Sequence, residues 1–307
     1  MMVLVEHHVG ECIMKPVLRI LAVFFVLLSA RAALAEADGP DYFRLRVDGT
    51  VGLYEDLTPG AKRLGTLPVA AEGLRNLGCK GLPTYAQWSA MSAEARQAAA
   101  ENAWCRVEFL GQGGWVRHAY LGEGAPPQSP GFDCAEASGQ VETMICKNPA
   151  LILLDRQMNA AFKLAVEAAS SLDERPADAV SLLRARQRGW IKGRNDCWKS
   201  QDVASCVKDE TERRLSILHV EWNLVPPAKQ RSYRCGENAA IVLSYYDLLP
   251  RNAIAVEYGD RWAVFVAGDS RNKGRFEGSF GRWVELDGSQ ALLKLDQKKP
   301  TWQCEGI

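Results

Sequence analysis

Apolar and polar residues alternate from Phe43 to Asp48: Phe43, Leu45 and Val47 interleave with Arg44, Arg46 and Asp48. A period of two predicts a half-buried strand ending at the Asp48-Gly49 turn. Val51, Leu53 and Tyr54 continue the pattern, Thr58-Pro59-Gly60 turns it, and Arg63–Pro68, Trp104–Phe109, Gly113–Arg117 and Tyr120-Leu121 supply further short strands. Between them the alanine-rich insert from Ala90 to Ala103 reads as helix. The period then changes. Leu151, Leu154, Met158, Ala161, Phe162 and Ala165 fall at three-and-four spacing, as do Leu183, Trp190, Ile191 and Arg194 (interrupted at Gln187) and then Val207, Thr211, Leu215, Leu218 and Trp222. These are three amphipathic helices, separated near Ser170-Ser171 and Pro176, whose stripes can be buried only against one another. Period two returns with Ile254, Val256 and Tyr258, and continues through Trp262–Val266, Arg275–Glu277, Arg282–Leu286, Ala291–Leu295 and Thr301–Cys304. Strands at this spacing, parted by Gly-Asp, Asn-Lys-Gly and Asp-Gly turns, predict an antiparallel barrel or sandwich.

Turn-rich seams at 122–131 and 225–230 divide the chain into segments 36–128, 129–224 and 231–307, holding two, four and two cysteines. Segments this small bury little apolar surface, so a disulfide in each is expected. Cys235 and Cys304 sit near the two ends of the last, where one bond closes almost the whole segment. Among Cys134, Cys146, Cys197 and Cys206 the local pairing 134–146 and 197–206 is the simplest of three connectivities. Upstream, Met14-Lys15-Pro16 and Arg19 precede the apolar run Ile20–Leu28 and the small-x-small site Ala33-Leu34-Ala35. Residues 1–35 therefore read as a signal peptide starting at Met14, with no membrane span remaining after cleavage. The chain has 37 basic and 37 acidic side chains; residues 1–35 hold three and two of them, leaving 34 against 35. Such a balance gives no reason to expect nucleic acid as partner. An even number of cysteines after an export signal places the protein in the periplasm or outside the cell.

Three resemblances follow. The strand, the Pro-Gly loop, the Gly114-Trp115-Val116 strand and the Cys79/Cys105 pair resemble the bacterial SH3 domain, which implies a small barrel binding peptides or cell-wall stems. Trp115 is then a groove residue or a core and rim residue. The Cys134 to Cys146 opening, Leu154-Asp155, Gln187-Arg188-x-Trp190 to Arg194 and the closing Cys206 resemble the LprI-type lysozyme inhibitors. That likeness leaves two roles for Trp190, Arg194 and Asp155: a ligand-facing charged pair, or a tryptophan in the core with Arg194 tying one helix to another. Tyr233-Arg234-Cys235, Gly274-Arg275-Phe276-Glu277, Trp283, Gly288, Ala291–Leu293 and Cys304 resemble the membrane-bound inhibitors of c-type lysozyme, the MliC-like family. In that family a serine and a lysine on two loops make the inhibitory contacts. The counterparts here are Asn272 (Ser270 if the loop is shifted), beside Arg275, and Asp287. An aspartate at the lysine position is repelled by the carboxylates of a lysozyme cleft. Both loop residues are also ordinary turn residues.

The expected fold is thus all-β, all-α and all-β in succession: a small SH3-like barrel, a disulfide-stapled three-helix module and a small antiparallel β-barrel. Catalysis lacks its parts. Beyond the signal the chain has two histidines, His118 and His219, no Ser-His-Asp motif, no Cys-x-x-Cys and no phosphate loop at Gly111–Trp115. No catalytic residue, cofactor or metal ligand is expected. The resemblances imply an exported binding protein of the cell envelope, lysozyme-inhibitor-like, that occludes a muramidase cleft with c-type lysozyme as protein partner. The alternative is a non-inhibitory periplasmic adaptor that binds peptidoglycan or an envelope protein through its SH3-like part.

Overall fold

A computed structural model describes residues 39–236, 239–268 and 274–307. The expected signal peptide with its start at Met14, and the candidate contacts Ser270 and Asn272, lie outside the described residues. Pro40–Ile307 folds as one compact unit.

Strands β1 (Tyr42–Leu45), β2 (Val51–Tyr54), β3 (Arg63–Leu67), β4 (Leu74–Lys80), β5 (Trp104–Phe109), β6 (Gln112–Arg117) and β7 (Leu121–Glu123) form a sheet in the order β3-β2-β6-β5-β4-β1-β7. Their inward residues, among them Phe43, Leu53, Leu67, Val107, Phe109 and Val116, share one core, and Cys79 is bonded to Cys105 across the β4–β5 pair. Its hydrogen bonding leaves the sheet open, with β3 and β7 at the edges, where a small barrel was expected. The open edge of β3 is occupied from elsewhere in the chain: Thr66 donates its N–H to Asp247 O at 2.9 Å and bridges Leu248. An exposed helix that was not expected, α1 (Tyr85–Ala90), precedes the insert, which itself forms the exposed helix α2 (Ala93–Asn102); Thr84 and Ser92 cap the two.

The helical segment contains four helices where three were expected. The extra one, α3 (Gly139–Lys147), precedes α4 (Pro149–Ser170), α5 (Pro176–Asn195) and α6 (Val203–Glu221). Asn148 and Pro149 separate α3 from α4: proline disfavours helix in the residue before it, and the Asn148 side chain accepts the N–H groups of Ala150 and Leu151. Val141 and Ile145 of α3 are buried against Leu151, Cys197 and Val207, with the bonds Cys134–Cys146 and Cys197–Cys206 flanking this cluster. The larger bundle core is built from Leu154, Met158, Ala165, Leu183, Leu215 and Leu218.

Strands β8 (Lys229–Cys235), β9 (Ala239–Tyr246), β10 (Ala253–Tyr258), β11 (Arg261–Ala267), β12 (Arg275–Glu277), β13 (Trp283–Asp287), β14 (Gln290–Lys294) and β15 (Trp302–Gly306) close into an antiparallel barrel. Cys235 and Cys304 stand opposite each other in the β8–β15 pair and are bonded there, across 69 residues of sequence.

The loop between β9 and β10 locks the three parts together. Leu249 is buried in the core of the first sheet, where Gly65 must lack a side chain because a Cβ would lie 2.7 Å from Leu249. Asp247 accepts from Arg63 at 2.5 Å and from the Thr66 hydroxyl at 3.0 Å. Arg251 pairs with Asp209 and Glu212 of α6. On the same barrel-facing side of that helix Ile217 and Val220 pack on the outside of the barrel with Val225, Leu248 and Val266. Leu110, at the tip of the β5–β6 hairpin with a left-handed φ of 50°, packs against both the first core and the bundle core. Contact on two sides is what holds a leucine in so unfavourable a conformation.

Candidate binding sites

Inside the bundle, Asp155 of α4 and Arg194 of α5 are both buried. Arg194 Nη1 donates to Asp155 Oδ1 at 2.9 Å, and the other carboxylate oxygen accepts the Gly131 N–H at 2.9 Å. The guanidinium stacks 5.2 Å from the Trp190 ring, whose Nε1–H donates to the Glu210 carbonyl at 3.2 Å. Burial pushes the Asp155 carboxyl up and the Arg194 guanidinium down from their ordinary values, outweighing their mutual attraction. Arg194 and Trp190, two of the candidate contacts, are thus engaged within the fold: they join α4, α5 and α6 and pin the segment entering the bundle. A partner cannot reach Arg194 without opening the helices.

On the first sheet Trp115 points outward, half-buried, with Lys80 Nζ 5.2 Å from its ring centre. It does not line the neighbouring concavity. That hollow, about 560 Å³, is lined by Tyr54, Trp104, Tyr120, Arg63 and Arg117 along with the 47–52 turn. Tyr54 meets Trp104 edge-on at 6.1 Å, and Arg117 lies 5.1 Å over the Trp104 ring. Aromatic faces beside a cation suit an amphipathic ligand carrying a carboxylate. These residues were not singled out from the sequence, although the alternation of Trp104 and Arg106 with Cys105 and Val107 already turns them outward.

On the barrel, Arg275 is half-buried, stacked 4.4 Å from the Trp283 ring and 3.9 Å from Glu285. Asp287 is exposed in the β13–β14 turn. Strand direction places this turn at the same end of the barrel as the β9–β10 loop that clasps the other two parts. The structure thus does not gather Trp115, Arg194, Arg275 and Asp287 into one site. Among the described residues there is no cluster of three side chains suited to a metal, and no helix long and apolar enough to cross a membrane.

Residues 134–218 match the family described as lysozyme inhibitor LprI, so the helical part is an LprI-like domain. The chain is also similar to the proteins named lipoprotein LprI of Mycobacterium bovis (strain ATCC BAA-935 / AF2122/97) and of Mycobacterium tuberculosis strains CDC 1551 and H37Rv. Each is 23% identical over 184 residues, covering 59% of this chain and 86% of the relative. The family is named for inhibition and not for catalysis. No solved structure matches.

Proposed function

We propose that this chain is an exported binding protein of the cell envelope that inhibits a lysozyme-type muramidase by occluding its cleft, and that the helical part carries the activity. The family match over 134–218 carries the reading: it takes in most of α3–α6, the Cys197–Cys206 bond and the buried Asp155–Arg194 pair. Occlusion needs a preorganised surface more than chemistry, since every side chain or loop frozen on binding subtracts from affinity. Two disulfides and a buried charged pair supply that rigidity. Four disulfides suit an oxidising compartment, and the lipoprotein names of the relatives agree with a place in the envelope. In this reading 36–128 is an SH3-like part, 129–224 the inhibitor and 231–307 an MliC-like barrel whose Asp287 opposes the contact its counterpart makes.

The Tyr54–Trp104–Arg117 hollow favours a second reading, a non-inhibitory adaptor that holds peptidoglycan or an envelope protein on its first sheet. One pair of assays separates them. The exported chain, residues 36–307 with disulfides intact, is tested against c-type lysozyme lysing a cell-wall suspension, and for retention on insoluble peptidoglycan. Stoichiometric inhibition is the expected result. Retention on the wall with no inhibition at large molar excess would replace the inhibitor with the adaptor. Cutting the chain at the 225–230 seam is a poor test, because it removes Leu249 from the first core and uncovers Val220.

A further inference from the structure

Helix α5 buries Leu183, Gln187 and Arg194 and exposes Arg184, Arg188 and Lys192. Steps of four residues align these three cations in one ridge along the helix. The ion pairs of α5 and its cap belong to Arg175, Arg186 and Arg194, so the ridge has no ion-pair partner among the described residues. Like charges at this spacing weaken a helix. Alongside the ridge run exposed Ala185, Gly189 and Gly193, again four apart. A Cβ on Gly189 or Gly193 would meet nothing within 4 Å, and neither residue has a positive φ. Glycine inside a helix is less favourable than alanine, and no contact within the chain calls for it here.

We infer that this face of α5 is the surface that enters a muramidase cleft, its cations pairing with the enzyme's two catalytic carboxylates. The inference rests on the inhibitor reading above. The carboxylates of such enzymes flank the scissile bond about 5–9 Å apart, and side chains one helical turn apart start from Cβ atoms about 6 Å apart. Two successive ridge cations therefore span the pair. The missing side chains at Gly189 and Gly193 let the cleft wall approach the helix backbone.

The test uses the full exported chain and c-type lysozyme. Arg184→Glu/Arg188→Glu/Lys192→Glu is expected to weaken inhibition by at least about tenfold, and Arg184→Lys/Arg188→Lys to keep it. Gly189→Gln is expected to raise the melting temperature, by helix propensity, while weakening inhibition by blocking close approach. A purely structural glycine cannot give that combination. Wild-type inhibition that survives both the charge reversal and Gly189→Gln overturns this inference and leaves the inhibitor reading standing. A wild-type chain that does not inhibit removes both.

Discussion

At the scale of single residues, the buried charges fix geometry at some expense of stability. Asp155 and Arg194 are each shifted toward their neutral forms, so desolvation exceeds what the ion pair returns. What the pair secures is register: α4 against α5, and Gly131 against both. Arg194→Met should therefore destabilise the chain by about 3–5 kcal/mol, because the Asp155 carboxylate is left buried and unpaired. Adding Asp155→Leu should recover most of the loss, short of the acceptor that the Gly131 N–H gives up. Urea unfolding of the two variants beside wild type measures this, and a double variant no more stable than the single one would show the pair to be stabilising in its own right. The sequence identified these residues as a unit but left their role open. Whether an arginine faces a ligand or an aspartate depends on what packs over it, and that is settled by helices far away in sequence.

At the scale of the element, α6 shows where periodicity stops being informative. Its stripe of Val207, Thr211, Leu215 and Leu218 was legible and is buried as expected, whereas Trp222, the last residue of that stripe, is only half-buried just past the helix end. Glu212, Arg214, Ser216 and His219 are buried too, because the helix lies between the bundle and the barrel. Polar residues covered by a second layer look the same in sequence as polar residues facing water. Three of them find at least one substitute for solvent: Arg214 Nε donates to Gln187 at 2.9 Å, Ser216 to the Arg251 carbonyl at 2.9 Å, and Glu212 accepts from Arg251 at 2.8 Å. Arg214 Nη2 and His219 Nδ1 have no hydrogen-bond partner among the described residues. His219 is the weak point of this arrangement in acid. Burial pushes its imidazole down to about 4, against a smaller opposing pull from the Leu215 carbonyl. Between an unfolded value near 6.5 and about 4 the unfolded chain binds the proton and the folded chain does not. Stability is complete above that window and falls as pH drops through it, by on the order of 3 kcal/mol in all. Denaturant midpoints from pH 7.5 to 4.5 should therefore decline in wild type and decline less in His219→Gln. Parallel curves would mean that another group governs the acid response.

At the scale of the molecule, the three parts could be marked from turn residues, cysteine parity and the change of period, whereas their union could not. Asp247–Asn252 has the composition of an ordinary hairpin loop, and nothing in it announces that Leu249 completes the core of a sheet about 200 residues earlier. The consequence is cooperative. Small parts joined by free linkers melt independently, but here the loop of the barrel fills the first core and grips α6 through Arg251, while α6 rests on both the bundle core and the barrel wall. Removing the Leu249 side chain deletes an apolar contact and leaves a cavity beside Gly65, where the backbone cannot collapse far because Thr66 remains bonded to Asp247. Large-to-small changes of this kind cost about 2–5 kcal/mol. The loss falls on the first sheet alone, so Leu249→Ala should do more than lower the melting temperature. Wild type should unfold in one calorimetric transition whose van't Hoff and calorimetric enthalpies agree. The variant should split off an earlier, smaller transition belonging to the sheet. Separate transitions already present in wild type would mean that the clasp joins the parts without coupling them.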